Sequence, residues 1–417
     1  MRRFIHTADI HLDSPLRGLS SYEGAPVELL RDAPRAAFRN LVDAAIEEKI
    51  DFMVIAGDLY DGNWRDYNTG LFFVSEMGRL NRASIPVYLL YGNHDAESEI
   101  TKSLTLPANV HRFSEKAPQT FKLESLQVAL HGQSFRQAAT VENLAKNYPP
   151  AESGYFNIGV LHTALQGHEP HANYAPCSVA ELKAKEYDYW ALGHVHEAAV
   201  LSEKPHIVFP GNLQGRHIRE PGPRGALLVT ENAGVIGLSR LDVDVVRWHH
   251  LQVDATGSAS LQDAIRQTGV ALSDAYERRA EGRPMAIRVS FTGRSKVHGQ
   301  LFGMEPQLRA EVLGLAASLA ADRIWIEKVV VGTEPELDPK VLAARSDALA
   351  ELQQILARAG EDAEFLDDLA AELQDLSAKL PKDVQDQLPQ LDAIRKTGVA
   401  PLVSELAPTL LARLAGA

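Results

Sequence analysis

Cysteine is almost absent from this chain, since Cys177 is the only one among 417 residues. A single cysteine excludes an intramolecular disulfide framework and a zinc site built from several thiolates, and it is typical of a reducing compartment. Long apolar runs are absent as well: no stretch of 18 or more apolar residues could span a membrane, and the N-terminal MRRFIHTAD does not have the apolar core of a signal peptide. We therefore expect a cytoplasmic protein that does not enter the membrane.

An excess of basic residues is also lacking. The chain has 42 Lys and Arg residues against 55 Asp and Glu residues, which is a formal net charge of -13. This balance argues against a protein that coats nucleic acid with its whole surface, because such binding depends on an extended basic face. It leaves open a local basic groove or a metal-dependent phosphate site.

The chain is long enough for two or three domains. Residues 1–243 alternate short apolar runs with segments of helical period, which predicts a layered α/β domain. Residues 244–333 contain three strand-like runs and helix-like segments between them, which predict a small α/β domain. Residues 334–417 are rich in alanine, leucine and acidic residues, and we expect short amphipathic helices that either fold onto the body or dock on a partner.

Side chains that can bind metal ions follow five apolar runs of the first domain. The five stretches are ADIHLD, AGDLYDG, YGNHD, VLHTAL and LGHVH. In open α/β sheets, ligands collect beyond the carboxyl ends of the strands, so we expect these side chains to meet. The predicted metal ligands are Asp9, His11, Asp58, Asn93, His162, His194 and His196.

Two divalent ions held close together can clamp the attacking and leaving oxygens of a phosphoryl transfer. A carboxylate must bridge them, and Asp58, which follows Gly57 on a tight turn, is our candidate. The other ligands divide into Asp9, His11 and His196 for one ion and Asn93, His162 and His194 for the other. This mixture of nitrogen and oxygen ligands suits Mn(II), iron or zinc. We expect Gly193 to let the chain turn sharply enough for the two histidines that follow it to diverge.

These motifs resemble the calcineurin-like metallophosphoesterases. The resemblance implies a four-layer α/β (α+β) fold in which helices flank two mixed β-sheets, in place of the single parallel sheet that the strand pattern suggests. The stretches FIHTADIHLDSPLRGL, HANYAPCSVAEL and VFPGNLQGRHIREPGPRGALLV are similar to the bacterial SbcD and YhaO-type DNA repair exonucleases. This similarity implies a DNA-capping role for residues 244–333 and binding of an ATPase partner by residues 334–417.

The resemblance implies the same two sets of ligands, with Asp58 shared between the ions. It also implies that His94 is the catalytic histidine, in agreement with a residue that flanks the ions and protonates the leaving oxygen. Archaeal and eukaryotic relatives have a second mechanistic histidine three residues after the bridging aspartate, whereas this chain, like the bacterial relatives, has Asp61. We expect Asp61, and also Asp95, to orient a ligand without taking part in the reaction.

Basic residues outside the five motifs are open to two interpretations. Arg216, His217 and Arg219 lie in the stretch QGRHIRE, just after the last ligands, where they either contact DNA phosphates or form an ordinary surface turn. Six of the arginines in the second predicted domain either serve a DNA backbone or form a solvated face. They are Arg247, Arg278, Arg279, Arg283, Arg288 and Arg294.

The function that these patterns favour is a DNA exonuclease or endonuclease that hydrolyses phosphodiesters with two Mn²⁺ ions, with Fe, Zn or Mg as alternatives. By resemblance it acts in double-strand-break repair with an SMC-type ATPase similar to SbcC or YhaN, as a homodimer formed through Tyr67–Arg82. One alternative is a nucleotide or protein phosphodiesterase or phosphatase, although the extra domain and tail argue against it. Another is a silent scaffold for the ATPase, against which the complete ligand set argues.

Overall fold

The computed structural model describes residues 1–12, 14, 27–61, 67–97, 105–165, 174–320, 322–336, 348–379 and 398–415. The chain divides into two compact units. The first comprises Met1–His249 with Gly282–Ala286, and the second comprises His250–Glu281 with Ile287–Ala417. Among the described residues, no helix has the length and apolar character that a membrane crossing requires.

Among the described residues, the first unit contains strands β1 to β12 and four α-helices. The strands are β1 (Arg2–Thr7), β2 (Phe52–Ala56), β3 (Val87–Leu90), β4 (Val110–Arg112), β5 (Gln119–Leu123), β6 (Val128–Gly132), β7 (Phe156–His162), β8 (Tyr189–Gly193), β9 (Ala199–Glu203), β10 (His206–Phe209), β11 (Gly225–Asn232) and β12 (Val235–Asp242). The helices are α1 (Val27–Glu47), α2 (Tyr67–Arg82), α3 (Asn93–Glu97) and α4 (Val179–Lys183).

The strands form two six-stranded mixed sheets. The first sheet has the order β12–β11–β1–β2–β3–β4, in which β1 to β4 are parallel and β11 is antiparallel to both of its neighbours. The second has the order β5–β6–β7–β8–β10–β9, with a parallel centre and an antiparallel strand at each edge. The parallel centres bring the carboxyl ends of β1, β2 and β3, and of β7 and β8, to one edge of their sheets.

Alternating apolar side chains hold the four layers together. Phe4 lies in a buried cluster with Ile158, between the two sheets. Its neighbour Ile5 projects to the opposite face and contacts a cluster that includes Phe38 of α1. Trp190 lies in a third cluster, on the outer face of the second sheet with α4. Because side chains alternate between the faces of a strand, strands buried on both faces read as continuous apolar runs.

The second unit is smaller. A three-stranded sheet has the order β13 (Arg247–Asp254), β14 (Met285–Thr292) and β16 (Ile324–Val331), and β15 (Arg294–Ser295) pairs in parallel with β17 (Glu334–Pro335). Its helices are α5 (Leu261–Arg279), α6 (His298–Leu301), α7 (Glu305–Ala320), α8 (Ala348–Ala359), α9 (Ala363–Lys379) and α10 (Ala400–Ala415). Helix α7 lies against α5 and β16, and α10 lies against α6 and α8.

The expected fold class is therefore confirmed, since helices flank two mixed sheets. The antiparallel strands β11 of the first sheet and β5 and β9 of the second explain why a single parallel sheet was the wrong expectation from the strand pattern alone. The domain boundaries at residues 243 and 333 stay a prediction.

Candidate dinuclear metal centre

The five motifs meet at the carboxyl ends of central strands from both sheets. The seven predicted ligands share this position: Asp9 and His11 follow β1, Asp58 follows β2, Asn93 begins α3 after β3, His162 ends β7, and His194 and His196 follow β8. Three groups of possible ligand atoms each lie within 4.8 Å of one another: Asp9, His11 and His196; Asp58, His162 and His194; and His11, Asp58 and His94. The structure thus brings together side chains that are far apart in the chain.

Asp58 lies between two sets of histidines. Its Oδ2 atom is 3.4 Å from Nε2 of His162 and 3.9 Å from Nε2 of His11. Its Oδ1 atom accepts a hydrogen bond of 3.0 Å from the backbone N–H of His94. Burial raises the pKa of the Asp58 carboxyl, but the imidazole of His162 outweighs this effect and holds the pKa well below its usual range. One ionised carboxylate therefore faces both sets, as a bridging ligand must.

His11 and His196 lie on one side of Asp58. Their Nε2 atoms are only 3.2 Å apart. Burial, followed by the charge of Arg216, lowers the pKa of His11 to about 3, so this ring is neutral at pH 7. Asp9 is buried, and both of its carboxylate oxygens accept from the backbone N–H of His194, at 2.9 and 3.1 Å. A cation among these imidazole and carboxylate donors would satisfy all of them, so the residues fit a divalent metal ion.

His162 and Asn93 lie on the other side. The Nδ1–H of the fully buried His162 donates to the carbonyl oxygen of Ala56 at 2.9 Å, and Nε2 lies 3.0 Å from Oδ1 of Asn93. Burial lowers the pKa of His162, but the Asp58 carboxylate more than offsets this and raises the pKa to about 9. In the protein without metal ions, a proton on His162 neutralises Asp58. A metal ion has to displace that proton before it can bind.

Four of the predicted ligands have a backbone conformation that residues other than glycine rarely adopt. Their φ angles are 50° at Asp9, 47° at His11, 53° at Asp58 and 104° at His194. Such conformations persist only where the surrounding structure enforces them, and they concentrate at functional sites. Gly57 also has a positive φ of 97°, and a Cβ atom there would lie 2.4 Å from Nδ1 of His162.

Gly193 has a different role from the one expected. The left-handed turn falls on His194 and not on the glycine before it. A Cβ atom on Gly193 would lie 2.0 Å from the carbonyl oxygen of Ala56. Glycine is needed because β8 passes close to β2 at this point, and a side chain would push apart the two strands that position ligands.

Asp61 and Asp95 both lie behind predicted ligands. Oδ1 of Asp61 is 3.3 Å from Nδ1 of His11 and 3.2 Å from Nδ1 of His94. The fully buried Asp95 accepts from three backbone N–H groups of the loops after β2 and β3, at 2.9, 3.0 and 3.2 Å. Asp61 therefore touches two rings of the centre, whereas Asp95 holds the backbone that carries Asp58.

Of the three basic residues in the QGRHIRE stretch, one lies next to a predicted ligand and two do not. The Arg216 guanidinium lies 3.3 Å from Nδ1 of His196, whereas His217 and Arg219 are exposed. Glu220, which was not among the predicted site residues, is buried and accepts from Nδ1 of His196 at 2.7 Å. In the sequence it looks like any surface glutamate. The one signal that points to it is the general preference of metal-binding histidines for a carboxylate on the other ring nitrogen.

Binding of Mn²⁺ is expected to release a proton from His162. Because the raised pKa of about 9 keeps this ring protonated at neutral pH, the apparent affinity should rise by roughly tenfold per pH unit up to that pKa and then level off. Calorimetric titration with Mn²⁺ between pH 6.5 and 8.5, in buffers with different heats of ionisation, measures the protons released. His206→Gln is a matched control, since His206 begins β10 at the opposite end of the sheet and its loss should leave the slope unchanged. An affinity that does not vary with pH would contradict this assignment.

Comparison with known proteins agrees with this geometry. The family model "Calcineurin-like phosphoesterase" matches residues 2–198, and the model "Metallophosphoesterase YhaO, middle domain" matches residues 248–334. The chain is 35% identical over 295 residues to the "Uncharacterized metallophosphoesterase YhaO" of Bacillus subtilis (strain 168), covering 70% of this chain and 71% of that protein.

Two archaeal proteins named "DNA double-strand break repair protein Mre11" are also similar. The one from Sulfurisphaera tokodaii is 22% identical over 299 residues, which is 68% of this chain and 72% of that protein. The one from Methanopyrus kandleri is 27% identical over 280 residues, which is 59% of this chain and 57% of that protein. The resemblance seen in the motifs is thereby confirmed, and the chain belongs to the calcineurin-like metallophosphoesterases.

Proposed function

We propose that this chain is a Mn²⁺-dependent DNA nuclease that hydrolyses phosphodiester bonds in the repair of double-strand breaks. The observation that carries the proposal is the carboxylate of Asp58, which faces histidines on both sides as a bridge between two ions would. DNA as the substrate is supported by the similarity to two proteins named for double-strand break repair.

The proposed ligands are Asp9, His11, Asp58 and His196 for one ion and Asp58, Asn93, His162 and His194 for the other. When bound, the ions supply the positive charge that holds the attacking and leaving oxygens of the phosphodiester. The four imidazoles argue against Mg²⁺, which prefers oxygen ligands, and the mixture of nitrogen and oxygen ligands suits Mn²⁺, iron or zinc. The chain itself contributes preorganisation, because its strained backbone and its hydrogen bonds fix the ligands before substrate arrives.

His94 is the proposed catalytic residue. Its side chain is 39% exposed, and its ring centroid lies 5.0 Å from that of His11. Nδ1 faces the Asp61 carboxylate at 3.2 Å, so Nε2 is the nitrogen that is left for a substrate oxygen. We assign to His94 the transfer of a proton to the leaving oxygen. The bond from its backbone N–H to Asp58 holds the residue at the edge of the centre.

Residues 244–333 are proposed to cap the DNA, and residues 334–417 to bind an SMC-type ATPase. The arginines of the cap divide into two kinds. Arg288 forms two hydrogen bonds with Glu327, at 2.6 and 2.7 Å, which engage its partly exposed guanidinium within the protein. Arg278 and Arg294 have side chains that are 75% and 61% exposed, so these two are the better candidates for contact with a DNA backbone.

The nuclease proposal predicts different effects for two substitutions. His94→Ala should slow hydrolysis of linear duplex DNA by about 10²–10⁴-fold and leave Mn²⁺ binding intact, because it removes a proton donor and no ligand. Asp58→Ala should abolish both hydrolysis and binding of the ion pair. The assay follows end-labelled duplex DNA and bis(4-nitrophenyl) phosphate side by side with Mn²⁺, with and without an SMC-type ATPase.

His206→Gln serves as the control, since it changes a histidine outside the centre and should retain full activity. Hydrolysis of the small diester without any degradation of DNA, even with the ATPase present, would refute the proposal in favour of a phosphodiesterase. Inactivity on both substrates would favour a scaffold.

We also propose that the chain forms a homodimer through α2. Phe73 on this helix belongs to the core, whereas Leu71 is 62% exposed. Phe72 is only partly buried, and the guanidinium groups of Arg35 and Arg39 each lie 5.4 Å from the centre of its ring. Leu71 and Phe72 therefore place apolar surface on α2 outside the face that packs on the core.

Leu71→Asp is expected to convert the dimer to a monomer, because a carboxylate at the interface would have to be buried without a partner. Light scattering coupled to size exclusion gives the molar mass. Val200→Asp, at another exposed apolar position (51% exposed), is the control and should remain dimeric. A wild-type monomer, or a Leu71→Asp dimer, would show that α2 is not the interface.

A further inference from the structure

A carboxylate lies behind each of the rings of His11 and His196. Nδ1 of His196 donates to Oε1 of Glu220 at 2.7 Å, and Nδ1 of His11 is 3.3 Å from Oδ1 of Asp61. In both rings the nitrogen on the carboxylate side is Nδ1, and the two Nε2 atoms face each other at 3.2 Å. A carboxylate in this position selects the tautomer and makes the opposite nitrogen a better metal ligand.

Arg216 connects the two carboxylates. Its guanidinium is 3.4 Å from Oε1 of Glu220 and 3.8 Å from Oδ1 of Asp61, and its backbone N–H donates to Oε2 of Glu220 at 2.8 Å. The guanidinium also lies 3.3 Å from Nδ1 of His196, but that nitrogen cannot accept a proton while it donates to Glu220. Nδ1 of His196 lies closer to Oε1 of Glu220, at 2.7 Å, than to the guanidinium of Arg216, so the hydrogen bond of this ring is the one to Glu220.

Both carboxylates are ionised and further anchored. Ser14 donates to the second oxygen of Asp61 at 2.8 Å, and the side-chain amide of Asn212 donates to Oε2 of Glu220 at 2.9 Å. Burial raises the pKa of each carboxyl, but the neighbouring histidine and Arg216 hold both pKa values well below the usual range. Carboxylates that are ionised and held by several hydrogen bonds restrict the orientation of the histidine rings beside them.

The ring of His162, in the other ligand group, is held in a different way. Its Nδ1–H donates to the backbone carbonyl of Ala56 in β2, a neutral acceptor. The two ion positions therefore do not share one support: side chains orient the histidines of the first, and the sheet itself orients His162 in the second.

We propose that Asp61, Arg216 and Glu220 form a clamp that sets the affinity of the ion position made by Asp9, His11 and His196, independently of the position that contains His162. The proposal rests on the two-ion centre of the proposed function. The clamp residues bind no metal themselves; they position His11 and His196. A weakened clamp releases one ion and leaves the other bound.

Glu220→Gln tests this directly. The variant keeps the shape of the side chain and removes its charge, and it should weaken binding of one Mn²⁺ by about 10–100-fold with the second unchanged. Electron paramagnetic resonance during Mn²⁺ titration distinguishes the states, because two neighbouring Mn²⁺ ions give a spin-coupled spectrum and a single ion does not. At a concentration that fills both positions of the wild type, Glu220→Gln should give the uncoupled spectrum, and excess Mn²⁺ should restore coupling.

Asp61→Asn and Arg216→Lys provide independent variants in case Glu220→Gln fails to fold, since lysine retains the charge but cannot reach both carboxylates with one planar group. Arg219→Gln, an exposed position in the same loop, is the matched control and should retain the coupled spectrum. Clamp variants that keep the coupled spectrum at the wild-type Mn²⁺ concentration, or that lose both ions in parallel, would overturn the clamp alone. A wild-type chain that never shows coupling would overturn the two-ion function together with it.

Discussion

One buried carboxylate faces histidines that come from both β-sheets. Its contacts depend on how the two sheets of the first unit are positioned relative to each other. Oδ2 of Asp58 lies within 3.9 Å of His11, which follows a strand of the first sheet, and within 3.4 Å of His162, which ends a strand of the second. A displacement of one sheet along the other would break one of these contacts. The apolar core between the sheets therefore does more than stabilise the fold, because it sets the distance between the two halves of the centre.

The backbone strain of the centre costs free energy, and the packing of this core has to offset that cost. Four of the proposed ligands, none of them glycine, have positive φ angles, and at about 1–3 kcal/mol each they would cost roughly 4–12 kcal/mol in total. That sum is comparable with the whole net stability of a typical protein, about 5–15 kcal/mol. The centre persists because burial on both faces of each sheet over-determines the strand ends. In return, the ligands need little reorganisation when metal ions and substrate bind.

The sequence indicates the proposed ligands more completely than it indicates the residues that support them. Asp9, Asp58 and His194 could be predicted because each follows an apolar run, and the strand ends of a layered sheet converge. Glu220 could not, since an irregular loop, whose course no periodicity describes, brings it against His196. The turn was likewise assigned to Gly193, although its real constraint is a close approach to Ala56 that only the assembled sheets create. The two mixed sheets followed from the family resemblance and not from the residues themselves.

His194 and His196, two residues apart, are proposed to bind different ions on opposite sides of Asp58. Anomalous diffraction from crystals soaked in Mn²⁺ tests it most directly, because it locates each ion without reference to activity. We expect two peaks roughly 3.5–4 Å apart, with the Asp58 carboxylate between them, His196 next to one peak and His194 next to the other. A single peak, or a peak to which both histidines bind, would contradict it.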